Sequence, residues 1–325
     1  MLGTHTWGRE HPVDGRVSRR RVIRGKPLDA HTVRLSPDPW ADGVLRKPAK
    51  PQVVLITGAT RGIGRVAAIE LANRGHIVIA TGRDEQRLES LQQEADLAGL
   101  PLDVLPLDVT DAKAAENVVA ETIGLKGRID GLVNNAGHGL WGPWEQLADD
   151  EVREVLETNF FGAARLSRLV LEGMRERSFG TIINVGSLAG KIVLPGFGAY
   201  SATKFAMNAM SRSMRLEARR FGVRVVLLEP GIIDTEFSIS QAVPAGLDPE
   251  MSPYDPVRNH KAKSGRENIP RASPGRVARR IRQVIEARRP RPRYTVGYDA
   301  WLGSKVMRIM PEWASGFVIR KLLGW

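Results

Sequence analysis

The 325 residues contain no cysteine. This excludes a disulfide framework, thiolate catalysis and any cysteine-ligated metal site. Histidine is scarce: the six (His5, His11, His31, His76, His138, His260) show no metal-ligand spacing of the HExxH kind, so no metal centre is expected. No run of about 18 apolar residues occurs, and no membrane-spanning helix is expected. The first 50 residues lack the apolar stretch of a secretory signal and carry acidic residues unlike a transit peptide. A cytoplasmic location follows as the expectation.

What the chain does have is positive charge, unevenly placed. The net charge is +12, yet residues 51–270 carry 24 Lys/Arg against 28 Asp/Glu. The excess lies in residues 1–50, with 11 against 5, and in residues 271–293, with nine Arg and one Glu. A nucleic-acid enzyme would have its basic surface in the working domain, so no specific nucleic-acid partner is expected. Residues 1–50, rich in Gly and Pro and without hydrophobic periodicity, read as a mostly disordered basic arm.

From residue 51 the texture becomes that of a folded domain. Residues 53–57, VVLIT, read as a strand buried on both faces, running into the turn Gly58-Ala-Thr60-Arg61-Gly62-Ile63-Gly64 and then an amphipathic helix. Glycines let backbone approach a diphosphate, and a helix N-terminus offers it free N–H groups. A second strand, residues 76–84, ends at Arg83 where an NAD site places an acid. Arg83 and Arg61 suit a 2′-phosphate, so NADP(H) is expected in preference to NAD(H). Asp84 reads as the N-cap of the next helix. Strands at 101–110 and 128–137 follow, ending at Asp108 and at Asn134-Asn135-Ala136-Gly137, each preceded or followed by a helical segment of 10–15 residues. This alternation predicts a doubly wound parallel α/β sheet, with ligands at the C-terminal strand ends.

The second half carries groups for proton transfer. A helix is expected over 149–178, its pattern interrupted at Thr158-Asn159-Phe160-Phe161-Gly162. The strand TIINVGS ends at Ser187, and a helix over 199–219 places Tyr200 and Lys204 one turn apart on one face. An ammonium beside a phenol favours the phenolate, and Ser187 can hydrogen-bond a carbonyl or alcohol oxygen. Together the three suit proton transfer to or from such an oxygen while a hydride moves elsewhere. Further strands are expected at 223–231 and 292–297, with a helix over 273–289 between them.

The segments TGATRGIG (57–64), LDVT (107–110), NNAG (134–137), Asn159, Ser187, YSATK (200–204) and PGIIDT (230–235) stand in an order and spacing that resembles the short-chain dehydrogenase/reductase family, over residues 51–297. The resemblance implies a single Rossmann-type sheet of about seven strands flanked by helices. It implies Tyr200 as general acid/base, Ser187 polarising the substrate oxygen, Lys204 holding the nicotinamide ribose and lowering the Tyr200 pKa, and Asn159 holding a relay water. The cofactor would meet Gly58, Thr60, Arg61, Gly62, Ile63, Gly64, Arg83, Asp108 with Val109 at the adenine, Asn135, Ala136, Gly137, Tyr200 and Lys204. Pro230, Gly231, Ile233 and Thr235 would complete that site. It further implies a homodimer or homotetramer built on the long helices.

Specificity is expected in the variable segments. Leu140, Trp141, Leu188, Val193, Leu194 and Phe197 would line an apolar pocket, with Ser187, Leu188, Val193 and Tyr200 touching substrate. Residues 236–273 read as a lid. Residues 298–325 read as an amphipathic extension that covers its own fold, joins an interface or lies weakly on a membrane surface. No charged group stands out to receive an anionic substrate, so a lipophilic ketone, aldehyde or alcohol is expected. The alternatives are a 3-oxoacyl thioester reductase docking an acidic carrier through the Arg-rich helix, and a non-catalytic NADP-binding sensor or scaffold.

Overall fold

The computed structural model describes residues 51–235 and 271–297, together with 253–254, 300, 310–311, 314 and 316–317. The expected N-terminal arm, nearly all of the lid and most of the C-terminal extension lie outside the described residues.

Seven parallel strands form one sheet among the described residues, in the order β3-β2-β1-β4-β5-β6-β7. They are β1 (Val53–Ile56), β2 (Ile77–Gly82), β3 (Leu102–Pro106), β4 (Gly131–Asn134), β5 (Gly180–Val185), β6 (Val223–Pro230) and β7 (Arg293–Val296). The chain winds outward from β1 to β3, then returns to pair β4 on the other side of β1. That reversal opens a crevice above the C-terminal ends of β1 and β4. Every residue of β1, β4, β5 and β6 is buried, which is why these strands read as continuous apolar runs rather than alternating ones.

Helices cover both faces. One face holds α1 (Gly62–Ala72), α2 (Glu85–Leu97) and α7 (Pro274–Glu286). The other holds α3 (Ala112–Lys126), α4 (Asp149–Leu156), α5 (Gly162–Glu176) and α6 (Gly198–Ala218). Two apolar cores result: Leu71, Val78, Val133, Ile183, Val277 and Ile281 on the α1 side, and Leu55, Leu132, Leu166, Val170 and Ile182 on the α5 side. Local chemistry sets the boundaries. Asp84 caps α2 by accepting from Arg87 N, as expected, and Asp111 caps α3 by accepting from Lys113 N and Ala114 N. Gly127, left-handed at φ 77°, closes α3.

The interrupted helix is a π turn. Glu157–Phe161 joins α4 to α5 with wider winding, and the irregularity lies where Asn159 is buried. Such bulges mark functional positions in many helices. Below the crevice, Asn134 Nδ2 donates to Asn184 Oδ1 (2.8 Å) and Ser167 Oγ (3.0 Å), and Asn184 Nδ2 donates to Ser211 Oγ (2.8 Å). This buried polar line links β4 and β5 to α5 and α6, and it holds the floor of the crevice rigid.

Candidate active site

A cavity of about 1070 Å³ occupies the crevice, large enough for a dinucleotide with a substrate beside it. Its floor is the glycine turn. Gly58 adopts φ +65°, and a Cβ there would lie 2.8 Å from Ala136 Cα. A Cβ on Gly64 would lie 2.3 Å from Gly58 O, so the turn and the first coil of α1 close only with hydrogen at both positions. Gly64 itself is buried behind the turn and outside the cavity lining, unlike Gly58, Thr60, Arg61, Gly62 and Ile63. Asn135 braces the turn: its Nδ2 donates to Thr57 O (2.9 Å) and Gly58 O (3.0 Å). Asn135, Ala136 and Gly137 all line the cavity.

Past the end of β2, Arg83 and Asp108 both face the cavity and pair at 3.5 Å. Burial raises the Asp108 pKa, but hydrogen bonds from the Thr110 backbone and hydroxyl, with Arg83, outweigh it and hold the carboxyl below its ordinary value. Val109 lines the cavity next to it. A side pocket of about 250 Å³ opens here between Thr60, Arg61, Gly62, Arg65, Arg87 and Ser90. Arg65 and Arg87 were not singled out in the sequence. Arg87 lies in the first turn of α2, three residues after the N-cap Asp84.

At the opposite end, Tyr200 and Lys204 are buried side by side on α6, with Lys204 Nζ 5.6 Å from the Tyr200 ring centroid. Lys204 Nζ donates to Val185 O (3.1 Å) at the end of β5. Ser187 Oγ accepts from Ala189 N (3.1 Å) and is also hydrogen-bonded to the Tyr200 side chain. One expectation is corrected here. Burial pushes the Tyr200 phenol up to about 12, against the lowering effect of Ser187, and Lys204 does not bring it down. The ammonium is itself desolvated, which pulls its pKa down to about 8, and it donates its hydrogen bond to Val185 O.

Asn159 is fully buried and outside the cavity lining. Its Oδ1 accepts from His138 N (2.9 Å), and its Nδ2 donates to His138 O (2.9 Å) and Thr203 Oγ1 (3.2 Å). The expected relay water therefore has to share a side chain already bound to the His138 backbone. Pro230, Gly231, Ile233 and Thr235 line the cavity as expected. The apolar wall beside Tyr200 is Leu188, Ala189, Ile192, Leu194 and Phe197.

The structure does not bring the other expected wall residues into that lining. Val193 is half exposed and points away, while its neighbour Ile192 faces in. Leu140 packs with Val155 and Ala199 in a small separate core, and Trp141 is buried against Gly196, where a Cβ would lie 2.5 Å from its Nε1. His138 and Arg271, neither of them expected, do line the cavity. Burial holds the His138 imidazole below its usual pKa.

Glycine turn, guanidinium-lined side pocket and buried phenol–ammonium pair define a dinucleotide-dependent oxidoreductase built on a doubly wound sheet. The chain matches the short chain dehydrogenase family model over residues 52–243 and belongs to that family. A 3-ketodihydrosphingosine reductase of Bacteroides thetaiotaomicron is 37% identical over 189 residues, which is 58% of this chain and 66% of that protein. Retinol dehydrogenase 8 of Homo sapiens is 38% identical over 217 residues, 63% of this chain and 68% of that protein. Among solved structures, a short-chain dehydrogenase from Streptomyces avermitilis superposes with a TM-score of 0.71 at 30% identity, covering 85% of this chain and 97% of that one. An alcohol dehydrogenase from Thermococcus sibiricus complexed with 5-hydroxy-NADP gives 0.64 at 26% identity, covering 77% and 97%.

Proposed function

We propose that the protein is an NADP(H)-dependent carbonyl reductase and alcohol dehydrogenase for lipophilic small molecules, with Tyr200 as its general acid/base. The fit to a 2′-phosphate rests on Arg61, Arg65 and Arg87 around one small pocket, with Arg83 lining the adjoining cavity. The diphosphate would lie on the glycine turn and the N-terminus of α1. When bound, the nicotinamide supplies or accepts the hydride at the substrate carbon.

The protein's own residues handle the oxygen. Ser187 and Tyr200 converge on one point, where their hydroxyls would hold and polarise a carbonyl. With its pKa near 12, Tyr200 keeps its proton at neutral pH and can give it to a nascent alkoxide, which is far more basic. Lys204, which titrates near 8, is held beside Tyr200 by its hydrogen bond to Val185 O.

The observation that carries the substrate class is the wall of Leu188, Ile192, Leu194 and Phe197 next to Tyr200. Retinol and ketodihydrosphingosine, the molecules in the names of two relatives, are of the kind such a wall accepts. NADPH consumption with aldehydes and ketones of increasing chain length tests it. Each buried methylene is expected to raise kcat/KM by about fourfold, or roughly 0.8 kcal/mol. A flat series, or a preference for sugars, would sink the lipophilic assignment.

A 3-oxoacyl thioester substrate has one observation in its favour: Arg276 and Arg279 are exposed on α7. Arg280 instead stacks on Tyr294 at 4.9 Å. Turnover of carrier-bound acyl groups that collapses in Arg279→Glu would turn the assignment to that reading. For assembly, exposed Phe161 and Phe205 on the long helices support a homodimer or homotetramer, which light scattering after gel filtration tests. Among the described residues, no helix is long and apolar enough to cross a membrane.

A further inference from the structure

The described chain runs past β6 to Thr235 and resumes at Arg271, and these two ends are joined. Ile233 pairs with Ala272 in a parallel bridge, Ala272 N donates to Ile232 O (3.0 Å), and Asp234 N donates to Ala272 O (3.0 Å). Ile233 and Ala272 are both buried, so the bridge is anchored in the α1-side core. It fixes Arg271 at the cavity wall.

The neighbours of that bridge show which part of the cavity it serves. Thr235 lies against the glycine turn, since a Cβ on Gly62 would sit 3.5 Å from Thr235 Cβ. Gly62 is the first residue of α1, whose N-terminal amides attract anions. Among the described residues, the cations lining the cavity are Arg61, Arg83, Arg87, Lys204 and Arg271. Arg61 and Arg87 also line the side pocket, Arg83 is paired with Asp108, and Lys204 lies beside Tyr200. Arg271 is left beside the segment that touches the glycine turn.

Its present partner holds it weakly. Arg271 Nη1 lies 3.5 Å from Asp234 Oδ1, with the side chains 41% and 72% exposed, and an exposed ion pair of this kind contributes little. A diphosphate, with more charge and more acceptor oxygens, outcompetes one exposed carboxylate for a guanidinium.

We propose that Arg271 binds the diphosphate of the dinucleotide, with Asp234 as the resting partner it gives up. This rests on the NADP(H) reading above. Binding of the cofactor then also secures the point at which the chain between Asp234 and Arg271 returns to the fold.

The test uses the full chain and two ligands, titrated by calorimetry: NADPH, and 2′-AMP, which has the 2′-phosphate but no diphosphate. Arg271→Gln is expected to weaken NADPH about tenfold, equivalent to about 1.4 kcal/mol, and to leave 2′-AMP unchanged. Arg271→Lys should recover part of the loss. Asp234→Asn is expected to tighten NADPH a few-fold, a change in the opposite direction that simple damage to the loop would not produce. Unchanged NADPH affinity in Arg271→Gln, an equal loss for 2′-AMP, or weaker NADPH binding in Asp234→Asn overturns the role of Arg271 alone. A wild-type protein that binds neither ligand overturns the cofactor reading and this role with it.

Discussion

Glu229, almost wholly buried at the end of β6, meets Lys191 across 2.5 Å. Lys191 follows the 3₁₀ turn Leu188–Gly190, directly beyond Ser187, and Glu229 directly precedes Pro230 at the cavity. Arg293 on β7 approaches the same carboxylate at 3.6 Å. The pair thus ties the cavity-lining segment that begins at Ser187 to the strand that reaches the cavity at Pro230. Removing the carboxylate leaves two cations facing each other with little water to screen them. Glu229→Gln is expected to cost on the order of 3 kcal/mol in urea denaturation. Wild-type stability in that variant would show that the pair holds nothing.

Lys204 gives stability a pH dependence whose sign follows from its lowered pKa. Unfolded, the ammonium titrates at its ordinary 10.5; folded, at about 8. Between those values the unfolded chain keeps a proton that the native protein has released, so stability rises with pH across that window. Tyr200 acts in the reverse sense between 10 and about 12, where the native protein keeps the proton and stability falls. The stability of wild type minus that of Lys204→Met is therefore expected to grow by up to roughly 3 kcal/mol from pH 8 to 10.5. A pH-independent difference would contradict it.

Tyr200→Phe removes the proton donor and keeps the ring. kcat is expected to fall about 10²–10⁴-fold, the usual contribution of a positioned acid or base. The NADPH dissociation constant should stay within about twofold, because a single neutral hydroxyl is lost from the far end of the site. Retention of turnover would assign the proton to another group.

Arg83→Asp reverses the charge in the cavity adjoining the side pocket and sets a carboxylate beside Asp108. Fluorescence titration is expected to show NADPH binding weakened by at least about tenfold, with NADH far less affected, since only NADPH carries the 2′-phosphate. Parallel losses for both cofactors would mean that Arg83 serves the fold rather than the phosphate.

The positions of the strands and most element boundaries could be read from the sequence because they depend on local signals, whereas the strand order came from the structure. Buried parallel strands are largely apolar, Asp84 has the form of an N-cap, and the glycine spacing follows a strand directly. The π turn at Glu157–Phe161 was visible only as a break in helical pattern, since its winding depends on what packs against Asn159. The Tyr200–Lys204 relationship was legible in spacing but not in electrostatics: four residues put the groups together, whereas desolvation decides which charge survives. Ile192 and Val193 illustrate a further limit. Two adjacent aliphatic residues in an irregular segment look alike in sequence, and only the backbone path turns one inward. Arg271 was invisible for another reason, because a bridge to Ile233 across nearly 40 residues of chain brings it to the cavity.

Because Ile233 and Ala272 already meet in the core, the chain between them begins and ends at the same place whatever its content. Loop closure depends only weakly on length, at about 0.6 kcal/mol for each doubling. The two ends of that connection are therefore pinned side by side by the core itself, and the Ile233–Ala272 contact works like a clasp that sets the span independently of its length.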